Sequence, residues 1–198
     1  MRRFSVANSY STASLDGEED RCGFVLHLRG WRMASATEAR RELLDGVTFF
    51  ARRAVRLEGV ERLALVGSLT TPKPNPKDAD VLVWVADSMD LATLAALGRR
   101  FIGRMQSQGR GADVFLVNTA GAYIGRTCLW KLCRPGVRVA CDALHCGRRP
   151  YLHDDLSTVQ LPAALVAAPP VVLWPDALVC MEVPADVGAL VESLRGAI

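Results

Sequence analysis

Residues 63–86 read LALVGSLTTPKPNPKDADVLVWVA, which is two apolar runs separated by a polar loop with three prolines. The first run, residues 63–66, predicts a short buried strand that ends at Gly67-Ser68. The second run, residues 79–86, is almost continuously apolar, which is typical of a strand whose sheet is covered on both faces. The prolines oppose a helix in the intervening loop. The stretch therefore predicts two neighbouring strands inside a layered fold.

Two aspartates stand at the start of the second strand. Asp78 and Asp80 are two residues apart, so both side chains project from the same face of a strand. Two such carboxylates repel each other and lose hydration, and a bound divalent cation removes both penalties. If the two strands pair antiparallel across the loop, Gly67-Ser68 lies at the same end of the sheet. The glycine admits backbone N–H groups to a phosphate, and the serine hydroxyl can donate to one.

The flanking sequence predicts helices on both sides of this strand pair. A capping-box pattern, Ser35-x-x-Glu38, and the apolar spacing behind it predict a helix over about residues 36–57. A second helical pattern covers residues 89–107, and residues 112–117 form a third strand pattern. The order helix, strand, strand, helix, strand indicates an α/β protein with a mixed, α+β type of sheet.

A third carboxylate completes the cluster. Since the second helix crosses back over the sheet, the third strand runs parallel to the second and starts at the same end. Asp113, near the start of that strand, is then expected beside Asp78 and Asp80. Three carboxylates next to a glycine turn suit two-metal phosphoryl chemistry. The alternative is that these acids are merely solvated at the starts of their strands.

Composition of the rest of the chain suggests three segments. We expect an N-terminal arm or edge strand at residues 1–35, the α/β core at 36–118, and a C-terminal extension at 119–198. The extension contains a cysteine and histidine cluster, a proline-interrupted stretch that favours extended structure, and a terminal helix over residues 184–198. Residues 137–141 alternate like a strand within it.

Overall composition excludes several classes of protein. Half of the 198 residues are hydrophobic, which argues against disorder and suits one domain with additions. A net charge of +3 is too small for a non-specific nucleic-acid binder. We find no apolar stretch that could span a membrane and no secretory signal, so we expect no membrane partner and a cytoplasmic location. The six cysteines are then expected to be reduced or metal-bound.

These residues together resemble the nucleotidyltransferase superfamily with the DNA polymerase β-like fold, in its small bacterial form. The family pattern is Gly followed by Gly or Ser, a spacer of about ten residues, two acids that alternate with apolar residues, and a later third acid; it covers about residues 55–118 here. The resemblance implies that Asp78, Asp80 and Asp113 are the catalytic carboxylates and hold two Mg²⁺ ions. Asp113 either completes the second metal site or acts as general base. Gly67 and Ser68 would hold the nucleotide phosphates.

The resemblance further implies a reaction and its partners. The protein would transfer a nucleoside monophosphate, with AMP from ATP favoured, to an acceptor hydroxyl on a protein, an RNA end or a small molecule. The spacer departs from the family because its prolines oppose the usual short helix, and Lys77 stands where a serine is common, from where it could bind phosphate. The alternative is a non-catalytic or antitoxin-like nucleotide-binding protein with a toxin-like partner.

A separate hypothesis concerns the cysteines of the extension. Cys128, Cys133, Cys141 and Cys146 form two pairs with four intervening residues each, at the edge of the spacing used by zinc ligands, and His145 lies within the cluster. A structural Zn²⁺ on the four cysteines is one interpretation. Buried reduced thiols are the other, and Cys141 continues an apolar alternation that favours them.

Two further features have ordinary interpretations. Arg99, Arg100, Arg104 and Arg110 make the second helix and its exit basic, which predicts a solvated face, with phosphate contact as the alternative. Trp84 shares the parity of Asp78 and Asp80 but lies further along the strand, so we assign it to the core.

Overall fold

The computed structural model describes residues 37–133 and 149–195. The helices and strands within these ranges are α1 Glu38–Ala54, β1 Val60–Val66, β2 Asp78–Val85, α2 Leu91–Ser107, β3 Gly111–Val117, β4 Tyr123–Thr127, β5 Leu152–His153, α3 Ala163–Ala167, β6 Val171–Trp174, β7 Leu178–Val179 and α4 Ala185–Arg195. A short 3-10 turn, Gly67–Thr70, follows β1 directly.

One mixed sheet organises these elements. Its seven strands lie in the order β5-β4-β3-β2-β1-β6-β7. Strands β2 and β3 are parallel, and the other neighbouring pairs are antiparallel. The expected α/β class with an α+β type of sheet is therefore confirmed. The three central strands come from the predicted core, and strands from the C-terminal extension complete both edges.

The predicted core elements are present, with small shifts at their ends. Strands β1 and β2 form across the proline loop, and α2 begins after Asp90, whose carboxylate accepts from the N–H of Ala92 at 2.9 Å. The first helix starts later than the capping-box pattern predicted, because Thr37 is its N-cap and accepts from the N–H of Arg40. The N-terminal arm or edge strand predicted at residues 1–35 and the strand predicted at residues 137–141 lie outside the described residues.

The two faces of the sheet have different cores. Helices α1, α2 and α4 cover one face, with fully buried phenylalanines such as Phe50 and Phe101 at 5.1 Å between ring centroids. The opposite face has a smaller apolar cluster that includes Trp84, Phe115 and Val166 of α3. Trp84 is 7% exposed, so its assignment to the core is confirmed. Burial on both faces explains why β2 is so uniformly apolar.

The terminal helix is confirmed as α4. Its apolar face is buried against the main core, through Val187, Leu190, Val191 and Leu194. The preceding proline-interrupted stretch contains both the short helix α3 and the strand β6. Within the described ranges, none of the helices combines the length and the apolar character needed to cross a membrane.

Candidate functional site

Strand register brings the Gly-Ser turn and the three aspartates to one end of the sheet. In the antiparallel pair β1–β2, Val66 lies opposite Asp80, and Gly67 follows Val66 directly. In the parallel pair β2–β3, Asp80 lies beside Asp113. The predicted directions of all three strands are therefore confirmed. We call the group Gly67, Ser68, Asp78, Asp80 and Asp113 the carboxylate end of the sheet.

These side chains lie on the face opposite the large helices. Asp80 has the same strand parity as Leu82 and Trp84, which belong to the smaller apolar cluster. Asp80 is buried, with 6% exposure, Asp78 is half-buried, and the side chain of Asp113 is 23% exposed. Solvent exposure therefore differs across the site, because Asp80 is buried and solvent reaches the carboxylates of Asp78 and Asp113.

Gly67 is required where it stands. Its φ of +77° is in the left-handed region that L side chains rarely adopt. A Cβ added there would overlap Oδ2 of Asp80 and would lie 3.1 Å from its Cγ. The main chain of the turn therefore approaches the Asp80 carboxylate more closely than any residue with a side chain allows.

Ser68 presents an unusual hydroxyl. Its Oγ is buried and has no hydrogen-bond partner among the residues that the structure describes. The backbone around it is satisfied, because Thr70 Oγ1 donates to the carbonyl of Gly67 at 2.8 Å and Thr71 Oγ1 donates to that of Ser68 at 2.7 Å. An unpaired buried hydroxyl costs roughly 1–3 kcal/mol. A ligand atom that accepts from Ser68 would remove this cost.

The loop that follows the turn is held by a buried arginine. Arg40 donates through its two terminal nitrogens to the carbonyls of Leu69, Thr71 and Lys73, each at 2.9 Å. Its Nε lies 2.6 Å from Oδ2 of Asp186, at the start of α4. Residues 71–77 contain no helix, as the prolines predicted. Arg40 therefore holds the loop through hydrogen bonds to three of the carbonyls in residues 69–73.

Lys77 stands at the entrance to β2. Its side chain is exposed, and its carbonyl accepts from the N–H of Gly111 at 2.8 Å. This bond joins the start of β2 to the start of β3. The side chain is accessible to a ligand beside the carboxylate end, and its phosphate contact stays a prediction.

Asp113 belongs to a network that the sequence did not reveal. Arg126 on β4 donates from Nη1 to Oδ1 of Asp113 at 2.8 Å. Its Nε forms an ion pair at 2.6 Å with Oδ2 of Asp155, although the contact is not aligned as a hydrogen bond. Tyr123 donates its hydroxyl to Oδ1 of Asp155 at 2.6 Å. The only local signal was Asn118-x-x-Gly121, a turn pattern that predicts a hairpin after β3.

The network raises the pKa values of Tyr123 and Arg126. Burial, the hydrogen bond to Asp155 and the charge of that carboxylate raise the pKa of Tyr123 far above its usual range. Burial by itself lowers the pKa of Arg126, but the carboxylates of Asp113 and Asp155 outweigh it and raise the pKa overall. Arg126 therefore stays a cation between two carboxylates.

The raised pKa of Tyr123 predicts alkaline destabilisation. A group whose pKa is higher in the folded state stabilises the fold fully below its unfolded pKa of about 10 and loses that contribution as pH rises. We expect the free energy of unfolding, measured with urea, to fall more steeply above about pH 10 in the wild type than in Tyr123→Phe. Equal slopes in the two proteins would contradict the assignment.

The described residues bear on both metal hypotheses, the Mg²⁺ site on the aspartates and the Zn²⁺ site on the cysteines. In residues 37–133 and 149–195, no group of three or more His, Cys, Asp and Glu side chains stands ready to hold a metal ion. Cys128 and Cys133 are not disulfide-bonded, and their sulfurs accept backbone N–H bonds, from Trp130 at 3.5 Å and Tyr151 at 3.2 Å. Cys141, His145 and Cys146 lie outside the described residues. A zinc site on the four cysteines stays a prediction.

One cysteine departs from the expectation. Cys180, next to β7, is disulfide-bonded, whereas reduced or metal-bound thiols were predicted for all six. The reduced state was inferred from the expected cytoplasmic location, whereas a disulfide depends on local geometry that the sequence does not display.

Arg100 and Arg104 are exposed and Arg99 and Arg110 are half-buried, which agrees with the solvated face predicted for them. Arg99 donates to the carbonyls of Cys128 and Trp130, at 3.2 and 2.9 Å, and Arg110 pairs with Glu42 at 3.0 Å. Arg104 stacks 5.5 Å from the ring centroid of Phe49. Three of the four arginines therefore also contact groups of their own chain, while Arg100 and Arg104 are exposed cations.

Comparison with known proteins gives a family without an assigned activity. The model of DUF6932, a family of unknown function, matches residues 28–131. No curated protein and no solved structure matches the chain significantly. The match covers more than half of the 198 residues and contains the whole carboxylate end together with Arg40 and Arg126. The chain therefore belongs to the DUF6932 family of unknown function.

Proposed function

We propose that the protein is a nucleotidyltransferase, which transfers a nucleoside monophosphate from an NTP to an acceptor hydroxyl and releases pyrophosphate. ATP is the favoured donor. One observation carries the proposal: the register that sets Val66 against Asp80 and Asp80 against Asp113 gathers the glycine turn and the carboxylates at one end and one face of the sheet. That combination is what nucleotidyl transfer with divalent cations uses.

The residues present fit a magnesium nucleotide. Carboxylate oxygens are the ligands that Mg²⁺ prefers, and Asp78 and Asp80 offer them from one strand face. The tight approach of Gly67 to Asp80 leaves the turn backbone next to the carboxylate, where a phosphate bound to the same cation would lie. The unpaired buried hydroxyl of Ser68 supplies a donor without a protein acceptor. The unpaired hydroxyl is costly in a purely structural turn, and a bound phosphate would remove that cost.

Each residue has a distinct part in the proposed reaction. Asp78, Asp80 and Asp113 would hold the cations, which would supply positive charge to neutralise the triphosphate and the attacking oxygen. Gly67 and Ser68 orient the phosphates by N–H and O–H donation, and the exposed Lys77 adds a mobile positive charge. Catalysis of this kind consists mainly of positioning and charge stabilisation. Acceptor recognition belongs to the parts of the chain beyond the central strands.

The ion pair of Asp113 supports a second candidate. Arg126 already neutralises the third carboxylate, and a site with that charge satisfied can bind a nucleotide without reacting. A non-catalytic, antitoxin-like nucleotide-binding protein with a toxin-like partner would keep the fold and dispense with turnover. This alternative predicts nucleotide binding without transfer of any label.

Transfer from labelled ATP tests the reaction type. The purified protein is incubated with Mg²⁺ and separate protein, RNA and small-molecule fractions of a cell extract, using ATP labelled at the α- or the γ-phosphate. We expect α-label on an acceptor, with pyrophosphate released, and no such label with Asp80→Asn. The exposed Asp176→Asn is the matched control and should behave as the wild type.

The outcomes separate the candidates. Transfer of γ-label would indicate phosphoryl transfer and contradict the proposal. Nucleotide binding without transfer in any fraction would favour the antitoxin-like alternative. Label that Asp80→Asn transfers as well as the wild type would show that the reaction belongs to another site or to a contaminant.

A further inference from the structure

The position of Arg126 between two carboxylates is the feature that the proposed site leaves unexplained. Its side chain is 29% exposed and reaches Asp113 on one side and the almost fully buried Asp155 on the other. Only Oδ1 of Asp113 is used by Arg126; Oδ2 makes no hydrogen bond within the part of the chain that the structure describes. Arg126 therefore fixes Oδ1 of Asp113, and Oδ2 stays available to a ligand at the carboxylate end.

Arg126 is itself held from the interior. Asp155 is 4% exposed, and its carbonyl accepts from the N–H groups of Thr158 and Val159, both at 2.8 Å. Tyr123 binds the other carboxylate oxygen and packs edge-on against Phe115, with 6.0 Å between centroids. A carboxylate with both oxygens engaged and its backbone bonded cannot easily rotate. The guanidinium is therefore anchored before it reaches Asp113.

The backbone of β4 adds a second restraint. Gly125 has φ +130°, and a Cβ there would overlap the carbonyl oxygen of His153. This close approach brings β4 against β5. In the register of these two antiparallel strands, Arg126 lies opposite His153. The arginine therefore has a defined position on its strand as well as a defined partner. Such support is typical of groups that orient a ligand rather than of a surface ion pair.

We propose that Arg126 is a positioning residue: anchored by Asp155 and Tyr123, it fixes Oδ1 of Asp113 so that Oδ2 is presented to the metal-bound nucleotide. The inference rests on the proposed function and deepens it. It takes Asp113 as a metal ligand, because Arg126 fixes one oxygen of its carboxylate and does not use the other.

Metal affinity separates positioning from simple neutralisation. A positioning role predicts that Arg126→Ala weakens Mn²⁺ binding about 10–100-fold, the usual effect of removing a group that orients a ligand. If Arg126 only neutralised Asp113 or occupied the metal position, its removal would strengthen Mn²⁺ binding, because a cation has left the site. The two accounts therefore predict changes of opposite sign.

The experiment uses the full chain. Electron paramagnetic resonance gives the Mn²⁺ dissociation constant in the presence of a non-hydrolysable ATP analogue, for the wild type, Arg126→Ala and Arg126→Lys. Arg126→Lys keeps the charge but cannot bridge two carboxylates with a planar fork, so we expect it to be weakened as well. Arg100→Ala, an exposed arginine on α2, is the control for charge and should match the wild type.

Chemical rescue completes the test. Added guanidinium ion should restore Mn²⁺ affinity to Arg126→Ala and leave Arg100→Ala unchanged, and urea unfolding of each variant confirms that it is folded. If Arg126→Ala does not fold, Arg126→Lys decides: affinity equal to the wild type overturns the inference. Stronger binding in Arg126→Ala overturns it too. A wild type that binds no Mn²⁺ with the analogue overturns the proposed function itself, and the inference with it.

Discussion

Replacing Arg40 by methionine is expected to lower the free energy of unfolding by about 3–5 kcal/mol. The guanidinium is almost fully buried, at 6% exposure, and methionine fills a similar volume without its donors. The change leaves the Asp186 carboxylate, 15% exposed, without its cation. It also removes three donors from the carbonyls of the proline loop. Breaking a buried pair from one side is costly because the remaining charge stays desolvated.

Urea unfolding at neutral pH measures this effect. Arg41→Met is the matched control, since Arg41 is exposed on the next position of the same helix, and we expect a change within about 0.5 kcal/mol. The double variant Arg40→Met/Asp186→Leu should recover only part of the loss, because the loop carbonyls stay without donors. A loss below about 1 kcal/mol in Arg40→Met would show that the buried pair contributes little.

Gly67→Ala has the largest expected effect on the site itself. The alanine has to adopt φ +77°, which costs roughly 1–2 kcal/mol, and its Cβ meets the carboxylate of Asp80. Since Asp80 is buried on a central strand, the overlap cannot be relieved without moving either the turn or the carboxylate. We expect a further loss of about 1–3 kcal/mol from this overpacking, together with loss of nucleotide binding.

A second glycine separates the two contributions. Gly109 has φ +70° but nothing within 4 Å of an added Cβ. The loss of unfolding free energy in Gly109→Ala therefore comes from the backbone conformation alone. The difference between the two unfolding free energies then reports the contact with Asp80. If Gly67→Ala and Gly109→Ala lose equal stability and both bind nucleotide normally, the close approach at the turn has no functional meaning.

The central half of the fold could be predicted from local pattern. Apolar runs and turns fix β1, β2 and β3 because each strand is buried on both faces, and the proline loop is too short for anything but a nearby return. The crossover helix α2 then sets β3 parallel to β2. Since strand directions and side-chain parity follow from these few facts, the meeting of Asp80 with Asp113 was accessible from the sequence.

The edges of the sheet were not accessible in the same way. Strand β4 contains Gly125 and Arg126 and lacks an apolar alternation, and β6 lies beside β1 although about a hundred residues separate them. Pairing over that distance leaves no local signature. Arg126 and Asp155 become partners only through it. Arg40 had a weak signal, because it stands on the apolar face of α1 together with Leu43, Leu44 and Val47.

Calorimetric titration of nucleotides tests the central claim, that the carboxylate end binds a metal–nucleotide complex. ATP, GTP, CTP and UTP are titrated with and without Mg²⁺ into the wild type, Asp78→Asn/Asp80→Asn and the surface control Asp176→Asn. We predict Mg²⁺-dependent binding of one nucleotide, ATP first, to the wild type and the control, and at least a tenfold loss, about 1.4 kcal/mol, in the double variant. Folded wild-type protein that binds none of the four nucleotides, or a double variant that binds as well as the wild type, would contradict the account.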